Sequence, residues 1–448
     1  MAKYLSLLWQ GLHWIGGGPL AVLILSAGIY LMVRYRFLPL RRFGTAFRLT
    51  IGNLFAPRRE RQAAGDISPY QALTTALAAT VGTGNIAGVA TAITLGGPGA
   101  LFWMWVSGFF GLAIKFSEIV LAVHYRRHLP DGHIAGGPMY VLERGLKQRW
   151  LGLTFAFFAS LAAFGIGNLV QANSAAAVAY SSWGIPPFVT GVIMAVIIAI
   201  VILGGIERIG SFTSRLIPVM ALLYAGGALA ILILEYRQVP LALVEIFTGA
   251  VTGRAAIGGF AGAGLLQALR YGAARGVFSN EAGLGSASIV HAAAKTDHPV
   301  RQGLWGIMEV FIDTHLICTL TGLVLIVTGA WTTSLEGASM TAEAFTRVLH
   351  HPGELIVSIG LMLFAFSTII SWAYYGEKSF EYLIGSEKGR AVYRLFWVGA
   401  VVVGATGKLY TVWALADGLN ALMALPNLVG VLGLSALVYK LNQQFWKD

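Results

Sequence analysis

Two apolar segments of this chain are interrupted by glycine-rich polar sequence, and the interruptions fall at matching places in its two halves. The first reads Ala79-Thr80-Val81-Gly82-Thr83-Gly84-Asn85, the second Gly276-Val277-Phe278-Ser279-Asn280-Glu281-Ala282-Gly283-Leu284-Gly285-Ser286. The segments belong to a chain that is 56% hydrophobic and 11% charged over 448 residues, against roughly 25% charged for a soluble domain. Such a chain cannot supply the polar surface of a soluble fold, and its long apolar runs indicate an all-α polytopic membrane protein. In hydrocarbon, a helix is broken only where the freed N–H and C=O groups line an enclosed cavity or meet a ligand. A matched pair of glycine-interrupted spans points to a secondary transporter built as an inverted repeat.

Eleven segments fit membrane spans, at roughly 17–35, 67–95 (broken), 99–126, 151–180, 186–206, 212–235, 256–292 (broken), 300–329, 354–384, 390–409 and 412–439. If the loop after span 1 is inside and the sides alternate, the inside holds 23 of the 31 Lys and Arg. The outside then holds five: Lys3, Arg237, Arg254, Arg347 and Lys408. Eight arginines crowd the first inside loop: Arg34, Arg36, Arg41, Arg42, Arg48, Arg58, Arg59 and Arg61. The positive-inside rule therefore puts the N-terminus outside and the C-terminus in the cytoplasm of a prokaryotic inner membrane. The same arginines directly follow the apolar stretch Leu20 to Val33, with no small-residue cleavage site, so that stretch reads as a retained helix rather than a signal peptide.

Without span 1, ten spans remain as two sets of five. Spans 2–6 start inside and spans 7–11 start outside, so a repeat of that unit is inverted, and each unit begins with its broken helix. The expected organisation is an extra helix at 1–36, an Arg-rich cytoplasmic segment at 37–66 and a first repeat at 67–235. An outside connection at 236–255, a second repeat at 256–441 and a tail at 442–448 follow. Amphipathic stretches at Leu241–Val251 and Thr341–Leu349 are expected outside as surface or lid helices, with another inside at Gly137–Lys147.

The net charge of +11 is met by anionic lipid head groups, so nucleic acid is not invoked as a partner. A lone Cys318 excludes an internal disulfide, and the histidines show no metal-ligand spacing. With no serine–histidine pairing or His/Asp cluster in the spans, an intramembrane enzyme is not indicated. A channel would need symmetric or repeated pore-lining rings.

A helix interruption exposes N–H groups that suit a carboxylate and C=O groups that suit an ammonium or sodium ion. Two such breaks face to face hold a zwitterion without charged side chains, which favours amino acids as cargo. Thr80, Thr83 and Asn85 add oxygens to the first break, and Ser279, Asn280 and Ser286 to the second. Span 4 offers Gly165, Asn168, Gln171, Asn173 and Ser174, whose alternative role is helix–helix packing. In span 9, the hydroxyls of Ser367 and Thr368 can complete an oxygen cage for sodium or bond back to their own helix. Trp372 can wall a pocket or serve as a core aromatic. Among intramembrane charges, Lys115 and Glu118 share a helix face and permit a local pair, and Glu309 and Asp313 lie four apart. Glu281 sits in the second break, where pairing with Arg270 or Arg275 competes with an ion-coupling role.

The run from Thr80 to Ala90, then Gly96-Gly97-Pro98-Gly99-Ala100-Leu101-Phe102-Trp103-Met104-Trp105-Val106 and Lys115-Phe116-Ser117-Glu118, resembles the alanine/glycine:cation symporter family. So do Gly136-Gly137-Pro138-Met139-Tyr140, Arg275 through Gly283, and Trp372-Ala373-Tyr374-Tyr375-Gly376-Glu377. The motifs run in order from about residue 60 to 430. This resemblance implies sodium-driven uptake of small neutral amino acids, alanine or glycine, without an organic cofactor or obligate protein partner. It also implies a LeuT-type core of two inverted five-helix repeats. By similarity, Thr83 and Gly84 offer backbone N–H groups to the carboxylate, Phe278 and Asn280 lie near the amine and side chain, and Gln171 with Trp372 bounds the pocket. A sodium site follows from the carbonyls of Ala78, Val81 and Phe364 and the hydroxyls of Ser367 and Thr368. A second sodium site is expected at Thr80 and Asn85, with its span 7 partners open. Coupling to protons through Glu281, Glu309 or Asp313 is the alternative.

Overall fold

The computed structural model describes residues 18–53, 64–130, 132–252, 261–386, 388–407 and 409–447. Lys3, Arg58, Arg59, Arg61, Arg254, Lys408 and the first residues of span 7 lie outside them.

The chain is predominantly helical. Its principal helices are α1 (Gly18–Arg34), α2 (Pro69–Thr80), α3 (Val89–Gly96), α4 (Gly99–His124), α5 (Arg149–Ala162), α6 (Val170–Trp183), α7 (Pro187–Ile202), α8 (Gly205–Leu234) and α9 (Val239–Thr252). They continue with α10 (Ala261–Asn280), α11 (Ser286–Ala292), α12 (Pro299–Val310), α13 (Thr319–Val327), α14 (Gly337–Leu349), α15 (His351–Ile384), α16 (Gly389–Thr406), α17 (Leu409–Gly433) and α18 (Ser435–Phe445). A small antiparallel pair, β1 (Arg127–His128) and β2 (Ile134–Ala135), follows α4.

A helix lies under each of the eleven apolar segments. Among the described residues, five continuous helices are long and apolar enough to cross a membrane: α4, Arg149–Trp183, α8, Pro299–Val327 and α15. The number rises to seven if each of two bent pairs is one span. Three further apolar helices are shorter, and α7 has only 16 residues, or about 24 Å at 1.5 Å per residue. These three helices are shorter than the ~20 residues that ordinarily cross the hydrocarbon.

Outward faces are apolar where a soluble protein would be charged. Val192, Ile193, Val196, Ile197 and Ile200 of α7, with Val219, Leu222, Leu229 and Ile233 of α8, are exposed. That is the surface lipid would cover. The polar residues face inward instead: Lys115, Glu118, Glu281, Glu309 and Asp313 are all at most 2% exposed.

The first break lies where the sequence predicts it. Ser68 caps α2 with a reciprocal Ser68–Gln71 box. The helix ends at Val81, and the chain resumes as a π turn at Gly84–Gly88, bent by 53°. The second break is shorter than its sequence suggests. Helix α10 runs through Gly276 to Asn280, and only Glu281 to Gly285 leave the helix. Gly276 serves packing, since a Cβ there would overlap Ser107 Oγ of α4.

The stretch Thr341–Leu349 forms part of α14, with the Glu343 and Arg347 side chains partly exposed on one face and the other face packed inward. Met340, Thr341, Ala344 and Phe345 are buried, and Thr341 Oγ1 donates to Ile86 O in the π turn (3.3 Å). The stretch Leu241–Val251 lies in α9 and does expose an apolar row, Leu241, Val244, Phe247 and Val251. Gly137–Lys147 holds a short α turn followed by a π turn, and its residues Pro138 to Leu142 are buried.

Candidate functional site

The first break meets the last turn of α10, just ahead of the second. A Cβ placed on Gly84 would lie 3.5 Å from Phe278 Cδ1 and 3.6 Å from Ser279 Cα. A buried carboxylate ties them together. Asn85 Nδ2 donates to Asp313 Oδ1 (2.7 Å), while Ser279 Oγ and Thr314 Oγ1 each donate to Oδ2 (2.9 Å). Asn280 Nδ2 donates to Thr314 Oγ1 (3.1 Å), and Asn85 Oδ1 accepts the N–H of Gly82 (2.9 Å). The three side chains that donate to Asp313 are neutral. Asp313 sits in a π turn, Phe311–Cys318, between α12 and α13, which turns its carboxylate toward the first break and α10.

Beside the first break, two polar side-chain atoms are buried and have no hydrogen-bond partner: Thr83 Oγ1 and Gln171 Oε1. Gln171 is held by its other end, Nε2 donating to Ile166 O (3.1 Å). Its free oxygen stands 3.6 Å from where a Cβ on Gly82 would be. Buried acceptors and hydroxyls are rarely left unsatisfied, and these two lie close to the first break. The Ser371 hydroxyl is also buried without a partner, one turn along α15 from Ser367 and Thr368.

Trp372 packs against the π turn Ala163–Leu169 that links α5 to α6. A Cβ on Gly167 would overlap the Trp372 side chain, so only glycine lets that turn approach α15. Trp372 Nε1 donates to Glu281 Oε1 (3.0 Å), and Glu281 Oε2 accepts from Ser286 Oγ. Both donors are neutral, in contrast to the arginine pairing that the sequence offers.

Of the oxygens expected to cage an ion, the two hydroxyls lie against the carbonyls of Ala78 and Phe364. Thr368 Oγ1 donates to Ala78 O (3.0 Å) and approaches Ala79 O (3.5 Å). Ser367 Oγ donates to Phe364 O (2.9 Å) and lies 3.4 Å from Ala78 O. Val81 caps the helix just beyond, with its N–H on Leu77 O (2.7 Å). The Ser367 bond is the local back-bond, whereas Thr368 reaches across to another helix. The second expected pair is not joined: Thr80 Oγ1 bonds back to Ala76 O (3.1 Å), and the Asn85 amide goes to Asp313.

The remaining charges pair across helices. Lys115 Nζ meets Glu309 Oε1 (3.1 Å), not Glu118. Glu309 Oε2 meets His291 Nε2 (3.1 Å), and His291 Nδ1 meets Gln302 Nε2 (2.8 Å). Glu118 Oε1 accepts from the backbone N–H of Gly283 (2.9 Å) and Gly285 (3.1 Å) and from Asn427 Nδ2 (2.6 Å). Sequence reasoning misses His291, Gln302 and Asn427. They lie in apolar helices with no spacing that marks them, and only the cross-helix contacts reveal their use.

A polytopic helical protein whose two interrupted helices face each other around unsatisfied buried oxygens has the construction of a secondary membrane transporter. The Sodium:alanine symporter family model matches residues 5–448, and the chain belongs to that family. It is 48% identical to the sodium/alanine symporter AgcS of Methanococcus maripaludis, over 96% of this chain and 95% of that one. It is 37% identical to a probable sodium/glutamine symporter, GlnT, of Bacillus subtilis, over 97% of this chain and 87% of that one. Among solved structures, a mutant of the Eremococcus coleocola manganese transporter superposes with a TM-score of 0.52 at 15% identity, covering 84% of this chain and 82% of that one. That likeness concerns the fold alone. The chain is a multi-pass membrane symporter coupling amino-acid movement to a cation, and not an enzyme.

Proposed function

We propose that this protein carries small neutral amino acids, alanine or glycine, into the cell on the inward movement of sodium, by alternating access. The observation that carries this reading is the pair of unsatisfied buried oxygens, Thr83 Oγ1 and Gln171 Oε1, beside a break that contacts the last turn of α10. The substrate carboxylate lies on the N–H groups of Thr83 and Gly84. Phe278 and Asn280 flank its amine and side chain, and Gln171 with Trp372 limits its size.

One sodium ion takes the carbonyls of Ala78, Val81 and Phe364 and the hydroxyls of Ser367 and Thr368. The Thr368 link between α2 and α15 supports this placement, because an ion there would join two helices that must move relative to each other. For a second sodium ion, Asn85 keeps its place, and Asp313 and Ser279 supply the acidic and hydroxyl oxygens that Thr80 turns away.

The full architecture we infer is eleven spans, with spans 2–6 and 7–11 as inverted LeuT-type repeats after one extra helix. The N-terminus lies outside and the C-terminus in the cytoplasm. The domain limits are those drawn from the sequence, with repeats at 67–235 and 256–441.

The deciding measurement is uptake of labelled alanine into proteoliposomes under an imposed sodium gradient. Accumulation above equilibrium is expected with sodium outside and not with potassium. Uptake driven by a pH gradient without sodium would overturn the sodium coupling while keeping the transporter.

A further inference from the structure

The two breaks are finished differently. In the first, the Gly82 N–H is satisfied by Asn85 Oδ1, a neutral amide three residues along the same segment. In the second, the freed N–H groups of Gly283 and Gly285 are both taken by a carboxylate from another helix, Glu118 of α4. The joint is enclosed, with Glu118 2% exposed. Asn427 of α17 closes it, donating to Glu118 Oε1 (2.6 Å) and to Gly283 O (2.9 Å). The other carboxylate oxygen, Oε2, is buried without a partner, so every hydrogen bond of this side chain goes to the joint.

The backbone there is held closely. Glu281, Gly283 and Gly285 have φ of 55°, 96° and 79°, a region that favours glycine. A Cβ on Gly283 would stand 3.0 Å from Ile24 Cγ1, and one on Gly285 would be 2.5 Å from Pro138 Cγ. Hydrogen bonds to an ionised acceptor are roughly twice as strong as neutral ones. They tie the joint between α10 and α11 to α4 and α17, while the first break is held by its own side chain and by Asp313.

We propose that Glu118 is a positioning residue: a built-in anion that pins the second break to α4 and α17 and serves as the pivot on which α10 and α11 turn during transport. The substrate carboxylate is thereby left to the first break, because the second already holds one. Alternating access turns one bundle against the other about the binding site, and a tie at the joint between α10 and α11 can serve that turn as its pivot. The proposal rests on the transport reading above.

The test is made on the full-length protein in proteoliposomes, with Glu118→Gln and Asn427→Ala beside the unaltered chain. Alanine affinity is read at saturating sodium in detergent, and Vmax and KM of sodium-driven uptake are read in vesicles. Glu118→Gln is expected to bind alanine within about threefold of the unaltered protein and to lose at least about tenfold in Vmax at little-changed KM, as loss of a charge-assisted anchor implies. Asn427→Ala removes one of three donors but keeps the charge and the two backbone donors, so it is expected to lose Vmax several-fold, less than Glu118→Gln, again with affinity kept. It decides the matter if Glu118→Gln does not fold. Unchanged Vmax in the variant that folds, or affinity and Vmax lost together, overturns the pivot. Failure of the unaltered protein to take up alanine would instead overturn the transport reading.

Discussion

Gln171 is anchored at one end and free at the other, the arrangement of a side chain that waits for a ligand. Shortening it to alanine removes a hydrogen-bonding atom and opens space. Gln171→Ala is expected to admit serine or valine and to raise the KM for alanine about fivefold, the worth of one hydrogen bond of about 1 kcal/mol. Competition of unlabelled amino acids against labelled alanine reads both effects, and unchanged selectivity removes Gln171 from the site. At the sodium cage, Thr368 crosses to α2 whereas Ser367 bonds chiefly to its own helix. Thr368→Ala should therefore raise the sodium concentration for half-maximal uptake more than Ser367→Ala, by about tenfold against about threefold if the lost oxygens cost about 1.4 and 0.7 kcal/mol. An unchanged sodium response in both variants would place the ion elsewhere. These residues are legible in the sequence because hydroxyls and amides stand out in apolar helices. Their partners are not: Asn85 and Asp313 are 228 positions apart, and Lys115 finds Glu309 rather than the neighbour its helix face offers.

At the scale of the helix, glycine marks both interruptions but not their extents. Gly276 and Gly167 look alike in sequence to Gly82 and Gly283, yet the first pair admits a neighbouring helix and the second pair accompanies a change of chain direction. A single chain cannot separate close packing from a bend, since both remove Cβ. Gly167→Ala tests the packing role. Its Cβ would press on Trp372, and overpacking of this kind costs typically about 1–3 kcal/mol. A lower melting temperature in detergent and weaker alanine binding are expected, because Trp372 would be displaced from Glu281. A melting temperature equal to that of the unaltered chain would mean that the two elements can separate without cost. In the stretch Thr341–Leu349, amphipathicity marks the buried face but not its receiver, the Ile86 carbonyl that Thr341 reaches.

For the molecule as a whole, composition and charge asymmetry are informative because lipid imposes them on the entire surface. Apolar residues face outward on α7 and α8, and Lys115, Glu118, Glu281, Glu309 and Asp313 are folded inward. The orientation inferred from arginine is checked with Arg41→Cys, which a membrane-impermeant thiol reagent should label only from the cytoplasmic side. Labelling of intact cells from outside would reverse the topology. Sodium carried with a zwitterion moves net positive charge, whether one ion or two, and each charge gains about 2.3 kcal/mol per 100 mV. Uptake should rise with an inside-negative potential set by valinomycin. Indifference to that potential would require a compensating ion.

The native thiol makes such labelling simple to interpret. Cys318 is the chain's one cysteine, and it is wholly buried, in contact with Asn85 and Ser279 where the first break meets the last turn of α10. The resting protein is thus a nearly silent background for cysteine chemistry. The same atom is also a natural reporter, because any movement that parts the two must wet it, and its alkylation rate would track the opening of the carrier without an introduced probe.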